Sequence, residues 1–306
     1  MKKLIGTILM TLSLLTQAHE SLNVVVSMPV GSANDVVARQ WVKKYDETFG
    51  TSSNVVNKPG AEGKIGIKYF LSLKETDQSI PLLWPAMGHV LVYNEPDKKD
   101  IIPVVEVARS PWILIVKKDF PANNFKEFVE YAKANPGKVN QGLQTRGWVG
   151  MLNRINANTK VEPNIVYYSN RPEVDVASGV LDSAWCLTAN VIGTGIEPRV
   201  KILATSGSSP YEGHPNMTLG TDPNIGTWYV HQGFYASTSV SKETQENLYR
   251  RFEFIRGLPW AKEMSAKNNI QLPPQGTSKD FGSHVFGTGA RLEKAEKEAE
   301  AKVNKK

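Results

Sequence analysis

The chain has 306 residues, of which 36 are Lys or Arg, 30 are Asp or Glu and 41% are apolar, a composition that excludes disordered and collagen-like proteins. A single Cys excludes a disulfide framework, and the length predicts about two domains at roughly 100 to 200 residues each. The formal net charge of +6 falls to +4 without the two N-terminal lysines. Much of the other charge lies in the closing run RLEKAEKEAEAKVNKK, so we expect no nucleic-acid partner.

The first eighteen residues, MKKLIGTILMTLSLLTQA, have the pattern of a secretory signal peptide. Two lysines precede an apolar run from Leu4 to Leu15, and the small residues Thr16 and Ala18 follow two positions apart. The run is shorter than the roughly 20 apolar residues that a membrane-spanning helix needs. We therefore expect residues 1–18 to be removed by cleavage near Ala18 and the mature chain to be periplasmic.

Strands and helices alternate along the mature chain. A β-branched strand over 22–27 precedes a helix whose residues Val37, Trp41, Tyr45 and Phe49 fall on one face, and Gly50 is expected to end it. Further strands are expected near 54–56, 80–84, 104–107, 112–117, 139, 165–168, 183–187 and 201–205, with helices near 64–73, 124–134, 244–256 and 278–302. This alternation predicts parallel sheets with helices on both faces, and ligands at the carboxyl ends of the strands.

The segment SMPVGSANDVVAR, residues 27–39, places small residues and a helix start directly after a strand. The first amides of a helix have no intrahelical partner and carry a partial positive charge, so an anion could bind there. A tight strand-to-helix connection with nothing bound explains the pattern equally well. The Gly-rich stretch NKPGAEGKIG, residues 57–66, favours a turn and a helix start over an anion site.

Other candidates lie near predicted strand ends. Arg146 and Trp148 in the loop QGLQTRGW could contact a carboxylate and a ring or apolar stem, respectively. Trp84, His89 and Asp182 could border a cleft. Core packing is the alternative for the two tryptophans, and a solvated loop position is the alternative for Arg146, His89 and Asp182.

Several chemistries lack a pattern in this sequence. The five histidines show no ligand spacing for a metal, so we expect neither a metal nor a cofactor. Cys186, in the apolar run SAWCL, is expected to be buried and inert. No G-x-S-x-G elbow is present, but a spatial triad is compatible with the spacing, so a hydrolase remains an open alternative.

The motifs MPVGSANDVVAR, VVNKPGAEGKIG, AKANPGKVNQG, VYYSNRP, SGVLDSAW and PNMTLGTD occur together and in this order. From about Leu22 to about Phe281, the chain thereby resembles the receptors of tripartite tricarboxylate transporters, the Bug family. The resemblance implies a type II periplasmic-binding-protein fold, in which two crossing strands join two α/β lobes around a ligand cleft. It implies lobe 1 over 19–116 plus 232–306, lobe 2 over 117–231, and hinges near 112–117 and 229–236.

The resemblance also implies ligand contacts, with departures from the family pattern. Val30 and Ser32 differ from the usual Pro-Pro-Gly-Gly of the first loop, and residues 143–148 replace a Ser-Ser-Gly-x-Gly-Ser loop. Of the usual Pro-Tyr-Lys-Gly stretch, only Tyr168 is retained. With the strand-end candidates, the predicted ligand-binding residues are Pro29, Val30, Gly31, Ser32, Ala33, Asn34, Asp35, Trp84, His89, Arg146, Gly147, Trp148, Tyr168, Ser169 and Asp182. We expect one carboxylate on the amides of residues 30–34 and the distal part of the ligand near residues 146–148.

The implied function is capture of a small organic carboxylate, either a di- or tricarboxylate or an aromatic acid. The receptor would deliver this solute, without catalysis, to the membrane permease subunits of a tripartite transporter. A monomer is expected. Two alternatives stay open: a periplasmic hydrolase acting on a carboxylate or ester, and a ligand sensor for a membrane kinase.

Overall fold

The computed structural model describes residues 21–85, 99–144, 148–168, 171–192, 194–207, 227–268, 270–274 and 280–285. The predicted signal peptide and most of the final charged helix lie outside these residues, as do four predicted ligand contacts: His89, Arg146, Gly147 and Ser169. Within the described residues, no helix combines the length and apolarity needed to cross a bilayer.

The first sheet is built around three parallel strands. They are β1 (Ser21–Val26), β2 (Asn54–Asn57) and β3 (Ser79–Trp84), with β1 in the middle. Two helices connect them, α1 (Ala33–Phe49) and α2 (Lys64–Ser72). The long strand β4 (Ile101–Lys117) and β9 (Tyr229–Ser237) run antiparallel to each other, and β9 joins β3.

The second sheet contains the middle of the chain. Strand β5 (Asn140–Gln144) lies between the parallel strands β6 (Asn164–Tyr168) and β7 (Ser183–Leu187). Strand β7 and β8 (Val200–Thr205) pair antiparallel with the end of β4. Helices α3 (Phe125–Ala134), α4 (Val149–Thr159) and α5 (Pro172–Ser178) connect these strands. The 3-10 turns of this half are Thr188–Asn190 and Glu197–Arg199.

Strand β4 belongs to both sheets. Its residues up to Pro111 pair with β9, and its residues from Trp112 onwards pair with β7. Ser206, directly after β8, holds the end of the second sheet next to this crossing. Its amide donates to the Trp112 carbonyl (2.8 Å), and its Oγ accepts from the Trp112 amide (2.9 Å). The chain therefore changes sheet at 111–112, before the expected lobe boundary at 116–117. The lobe boundaries themselves stay a proposal.

Helix α1 folds as its sequence predicts. Val37, Trp41 and Tyr45 are buried against the first sheet and against α6 (Lys242–Arg256). The Trp41 ring lies 5.2 Å from the ring of Trp260 in α7 (Pro259–Lys267). Gly50 ends α1 in the left-handed conformation, with φ of 68°. These contacts fix the start of α1, and with it the loop that precedes it.

Candidate ligand-binding site

The loop between β1 and α1 is held by its own hydrogen bonds. Ser32 caps α1, because its Oγ accepts from the Asp35 amide. Gly31 adopts a positive φ of 77°, and its amide donates to Asp35 Oδ2 over 2.9 Å. The Ser32 amide donates to the Pro29 carbonyl at 3.2 Å. Two of the five amides that we predicted to hold a carboxylate are therefore used within the loop.

Three amides of the predicted set are still available. In the part of the chain that the structure describes, the amides of Val30, Ala33 and Asn34 have no hydrogen-bond partner. Those of Ala33 and Asn34 belong to the first turn of α1, where the helix dipole favours a negative charge. The start of α1 thus retains the donors that an anion would need.

Asp35 braces this loop from within. Its carboxylate is buried and accepts three hydrogen bonds, from the Gly31 amide (2.9 Å), from Asn57 Nδ2 (2.8 Å) and from Arg39 Nε (3.0 Å). Burial raises the pKa of Asp35, but the bonds from Gly31, Asn57 and Arg39 outweigh burial and lower that pKa below 3.8. Asn57 also donates to the Met28 carbonyl at 2.9 Å. The geometry gives Asp35 a bracing role, and a direct ligand contact by Asp35 stays a prediction.

The start of α1 opens onto a cavity of about 330 Å³. One wall comes from the first sheet and its helices, and the opposite wall comes from the loops that follow β6 and β7. The volume lies at the lower end of the range for small-molecule sites, roughly 300 to 1,000 Å³. The first wall consists of Met28, Gly31, Ser32, Ala33, Asn34, Val36, Val37, Lys267 and Asn268, and the second of Arg171, Leu187, Ala189, Asn190, Ile192 and Thr194.

The charges around the cavity have one sign. Arg171 and Lys267 are the charged residues of the described lining, and that lining contains no Asp or Glu. The cations and the free amides of α1 together make this a favourable environment for an anion. Apolar side chains, among them Leu187 and Ile192, occupy part of the second wall and suit an uncharged stem.

Three polar residues of the second wall were not predicted from the sequence: Arg171, Asn190 and Thr194. All three follow strands of the second sheet, Arg171 after β6 and the other two after β7. The rule that ligands bind at the carboxyl ends of strands could have found them, because the segment SNRP directly follows a predicted strand.

Two predicted ligand contacts are core residues in the structure. The Trp84 side chain is fully buried and its ring lies 4.9 Å from that of Phe234. Trp148 is 2% exposed, with its ring 5.1 Å from that of Trp112. Neither belongs to the described lining of the cavity. Both rings pack against aromatic side chains of neighbouring elements, and a ligand contact by either tryptophan stays a prediction.

Tyr168 and Asp182 also bond to protein groups. The Tyr168 hydroxyl donates to Asp175 Oδ2 over 2.6 Å, and this bond raises the pKa of Tyr168 to about 12. Asp182 forms a 2.8 Å ion pair with Lys117 Nζ and accepts the Asn140 amide at 2.9 Å. Both lie outside the described cavity lining. Their partners give them structural roles at the two ends of the second sheet.

A second polar cluster lies on the crossing strands. Glu106 is fully buried and accepts from Arg109 Nε and Nη2, while its two oxygens lie 2.7 Å from His231 Nδ1 and 3.1 Å from His284 Nδ1. Glu106 and the two histidines offer ligand atoms within 4.8 Å of one another. Spacing along the sequence could not predict this grouping, because the fold assembles it from distant segments. The Arg109 guanidinium already contacts both carboxylate oxygens, so a metal ion would have to displace it.

Part of the chain matches the model of a known protein family. Residues 37–153 match the model of the tripartite tricarboxylate transporter family receptor. A UPF0065 protein of Bordetella pertussis is 31% identical over 138 residues, which are 42% of this chain and 42% of that protein. Protein BugT of the same organism is 28% identical over 143 residues, 43% of this chain and 42% of BugT. The matches thus span less than half the length of these curated relatives.

Solved structures show the same fold over nearly the whole chain. R. palustris Rpa4515 with adipate superposes with a TM-score of 0.78 at 20% identity, covering 91% of this chain and 97% of that one. The periplasmic binding protein BugD gives 0.72 at 21% identity over 90% and 97%. MatC from Rhodopseudomonas palustris with bound malate gives 0.72 at 18% identity over 90% and 98%. The expected periplasmic-binding-protein fold is confirmed, and the chain is similar over residues 37–153 to the receptors of tripartite tricarboxylate transporters, and over 43% of its length to the protein BugT.

Proposed function

We propose that this chain is an extracytoplasmic receptor that captures a small organic carboxylate in the cavity and delivers it to a tripartite membrane transporter. One observation carries the proposal: the free first-turn amides of α1 face a cavity whose described charged residues are all cations. The family model that matches residues 37–153 describes transporter receptors, which supports the same function here. Two solved relatives hold adipate and malate, which supports a carboxylate as the solute.

The binding step follows from the geometry of the first wall. A ligand carboxylate would accept from the amides of Ala33 and Asn34, as the structure leaves these donors without another partner in the described residues. The dipole of α1 adds about 0.3 to 1 kcal/mol for a charge at an exposed helix start, and up to about 2 kcal/mol in a partly buried one. Because Asp35 and Asn57 hold the loop in place beforehand, little ordering accompanies binding.

Closure of the two walls would complete the receptor cycle. The walls belong to different sheets, and the chain crosses between those sheets at 111–112 and beside Ser206. A hinge at these crossings would bring the walls together around the solute and present a closed surface to the permease subunits. We propose a monomer, exported after removal of residues 1–18, since each molecule carries both walls of its own site.

Binding without turnover distinguishes the receptor from the hydrolase alternative. The experiment is thermal melting of refolded, ligand-stripped protein with adipate, malate, tricarboxylates, aromatic acids, sugars and phosphate. Ligand at about 100 times its Kd stabilises the native state by about 2.7 kcal/mol, which raises Tm by several degrees. We expect shifts with carboxylates and recovery of the ligand unchanged by NMR. Shifts with sugars alone, no shifts at all, or a chemically altered ligand would overturn the proposal.

A ligand sensor would bind in the same way, so a second measurement addresses transport. Uptake of the labelled carboxylate in cells that carry the permease subunits of a tripartite transporter should require this chain. Uptake that is equal with and without the chain would contradict delivery to a transporter and favour sensing.

A further inference from the structure

We infer that Arg171 is the residue that makes this receptor discriminate between solutes with one and with two negative groups. The inference rests on the proposed function, because it assigns the second anionic group of a carboxylate solute to the wall opposite α1. Sequence patterns did not predict a role for Arg171, and its position follows from the fold.

Arg171 and the α1 amides face one cavity from opposite sides. Arg171 precedes α5 and follows β6 of the second sheet, whereas Ala33 and Asn34 begin α1 of the first sheet. A solute that contacts both sets must therefore bridge the two walls. The lining also includes apolar residues, among them Met28 on the first wall and Leu187 on the second, which can contact a hydrocarbon stem but offer no charge. An acidic group at each end of the solute would match this distribution.

A buried carboxylate orients the Arg171 guanidinium. Arg171 Nε donates to Glu173 Oε1 over 2.8 Å, and the Glu173 side chain has 0% exposure. Glu173 lies in the first turn of α5, where the helix dipole compensates part of its charge. The bond through Nε uses one edge of the guanidinium. Neither terminal nitrogen of Arg171 has a partner among the described residues.

The orientation matters because it decides what Arg171 can bind. The two terminal nitrogens of a guanidinium form a fork that pairs with both oxygens of a carboxylate. The Arg171 side chain is 52% exposed and lines the cavity, and its Nε edge is held by Glu173. Fixing the side chain in advance reduces the entropy that binding would otherwise remove. A flexible surface arginine would lack this advantage.

The test compares matched ligands on matched variants by isothermal titration calorimetry of the full mature chain. The probes are adipate and hexanoate, which share a six-carbon skeleton and differ by one carboxylate, together with malate. The variants are Arg171→Ala, Arg171→Lys and the control Arg199→Ala. Arg199 is an exposed arginine of the same half of the chain and lies outside the described cavity lining, so its removal changes the net charge equally.

We expect Arg171→Ala to weaken binding of adipate roughly 10- to 100-fold, as for loss of a charged hydrogen-bonded pair, with hexanoate changed less than about twofold. Arg171→Lys keeps the charge but loses the fork, so it should lie between the wild type and Arg171→Ala. Arg199→Ala should leave all affinities unchanged.

Loss of Arg171 leaves Glu173 buried without its cation, so the single variant could unfold. The double variant Arg171→Ala with Glu173→Gln removes both charges and should show the same selective loss for adipate. Malate replaces adipate as the dicarboxylate if the wild type prefers it. Equal losses for adipate and hexanoate, or an adipate affinity in the double variant within twofold of the wild type, would overturn the role of Arg171. A wild type that binds none of the carboxylates would instead overturn the proposed function itself and the inference with it.

Discussion

The Arg109 guanidinium lies edge-on to the Glu106 carboxylate, with Nε 3.0 Å from Oε1 and Nη2 2.9 Å from Oε2. Both residues belong to β4, and the same carboxylate also contacts His231 of β9 and His284 of the segment 280–285. The rings of the two histidines stack at 5.4 Å. One buried carboxylate thus joins both crossing strands to the end of the described chain, and this cluster should control much of the response to acid.

Stability should decline as the solution becomes acidic. Burial lowers the pKa of His231 below 6.5 against the opposing effect of Glu106. The unfolded chain therefore takes up this proton near pH 6.5, before the native state does, and the free energy of unfolding falls as pH drops below that value. Burial raises the pKa of Glu106, but the bonds from His231 and Arg109 outweigh it, so the net pKa lies below 4.5 and a second loss follows under about pH 4.5.

Urea unfolding between pH 8 and pH 4 would measure this decline. The variant His231→Gln should flatten the curve between pH 6.5 and pH 5, since it removes the group that titrates there. A wild-type curve that is level over that interval would contradict the assignment.

Replacing Glu106 with Gln should destabilise the protein by about 3 to 5 kcal/mol. The substitution keeps the shape of the side chain but leaves the Arg109 guanidinium, whose side chain is only 14% exposed, without its counterion. Urea unfolding at pH 7.5 measures the change. Glu47→Gln is the matched control, because Glu47 pairs with lysines at the surface and its loss should alter stability by less than about 1 kcal/mol. Equal effects of the two substitutions would refute a special role for the buried pair.

Asp35→Asn separates bracing of the loop from direct contact with the solute. The amide side chain cannot accept all three hydrogen bonds that the carboxylate receives, so we expect a loss of about 1 to 3 kcal/mol in stability. The Gly31 amide would lose its acceptor, and carboxylate affinity should fall because the first wall is less ordered. Urea unfolding and calorimetry on the same sample give both quantities. Weaker binding at unchanged stability would point to a direct contact and not to a brace.

Gly66 lies where α2 packs closely against the end of β1, the strand that precedes the binding loop. A Cβ at Gly66 would lie 2.7 Å from the Lys58 carbonyl oxygen and 2.9 Å from Ser27 Cβ. Gly66→Ala should cost about 1 to 3 kcal/mol through overpacking, seen as a lower Tm, and should weaken carboxylate binding by shifting residue 27. Gly195→Ala is the control, since a Cβ there meets nothing within 4 Å. Similar Tm values for the two variants would show that α2 can move aside without cost.

Periodic apolar residues predicted the elements best. The face of α1 that contains Trp41 and Tyr45 is buried as its spacing predicts, and Gly50 ends the helix. The prediction of two separate strands over 104–107 and 112–117 was wrong, because β4 is continuous and its pairing includes Pro111 opposite Tyr229. Long-range pairing with β9 therefore overrides the local break that the sequence suggested.

The site could be predicted only on one side. The loop from Pro29 to Asn34 is local in sequence, so a strand, small residues and a helix start were enough to identify it. The opposite wall depends on how the second sheet is placed against the first, which no local pattern contains. Local patterns therefore did not predict Arg171. For Trp84 and Trp148 they left a cleft and the core as alternatives, and both side chains are buried outside the described cavity lining.

The pairing of Leu83 in β3 with Tyr235 in β9 also bears on the order of folding. The first sheet begins at Ser21, but its path continues through β9, which the ribosome makes after the described strands of the second sheet. Contacts between such distant segments form slowly, because the chain loses conformational entropy on closing a long loop before these contacts can stabilise it. A growing chain that has not reached Tyr229 has β3 without this neighbour, while strands β5 to β8 are already made. Synthesis thus makes the first sheet the last to receive all its strands, and a chain cut short before β9 would keep β1 to β3 and the start of α1 but lack the strand that joins β3 to β4.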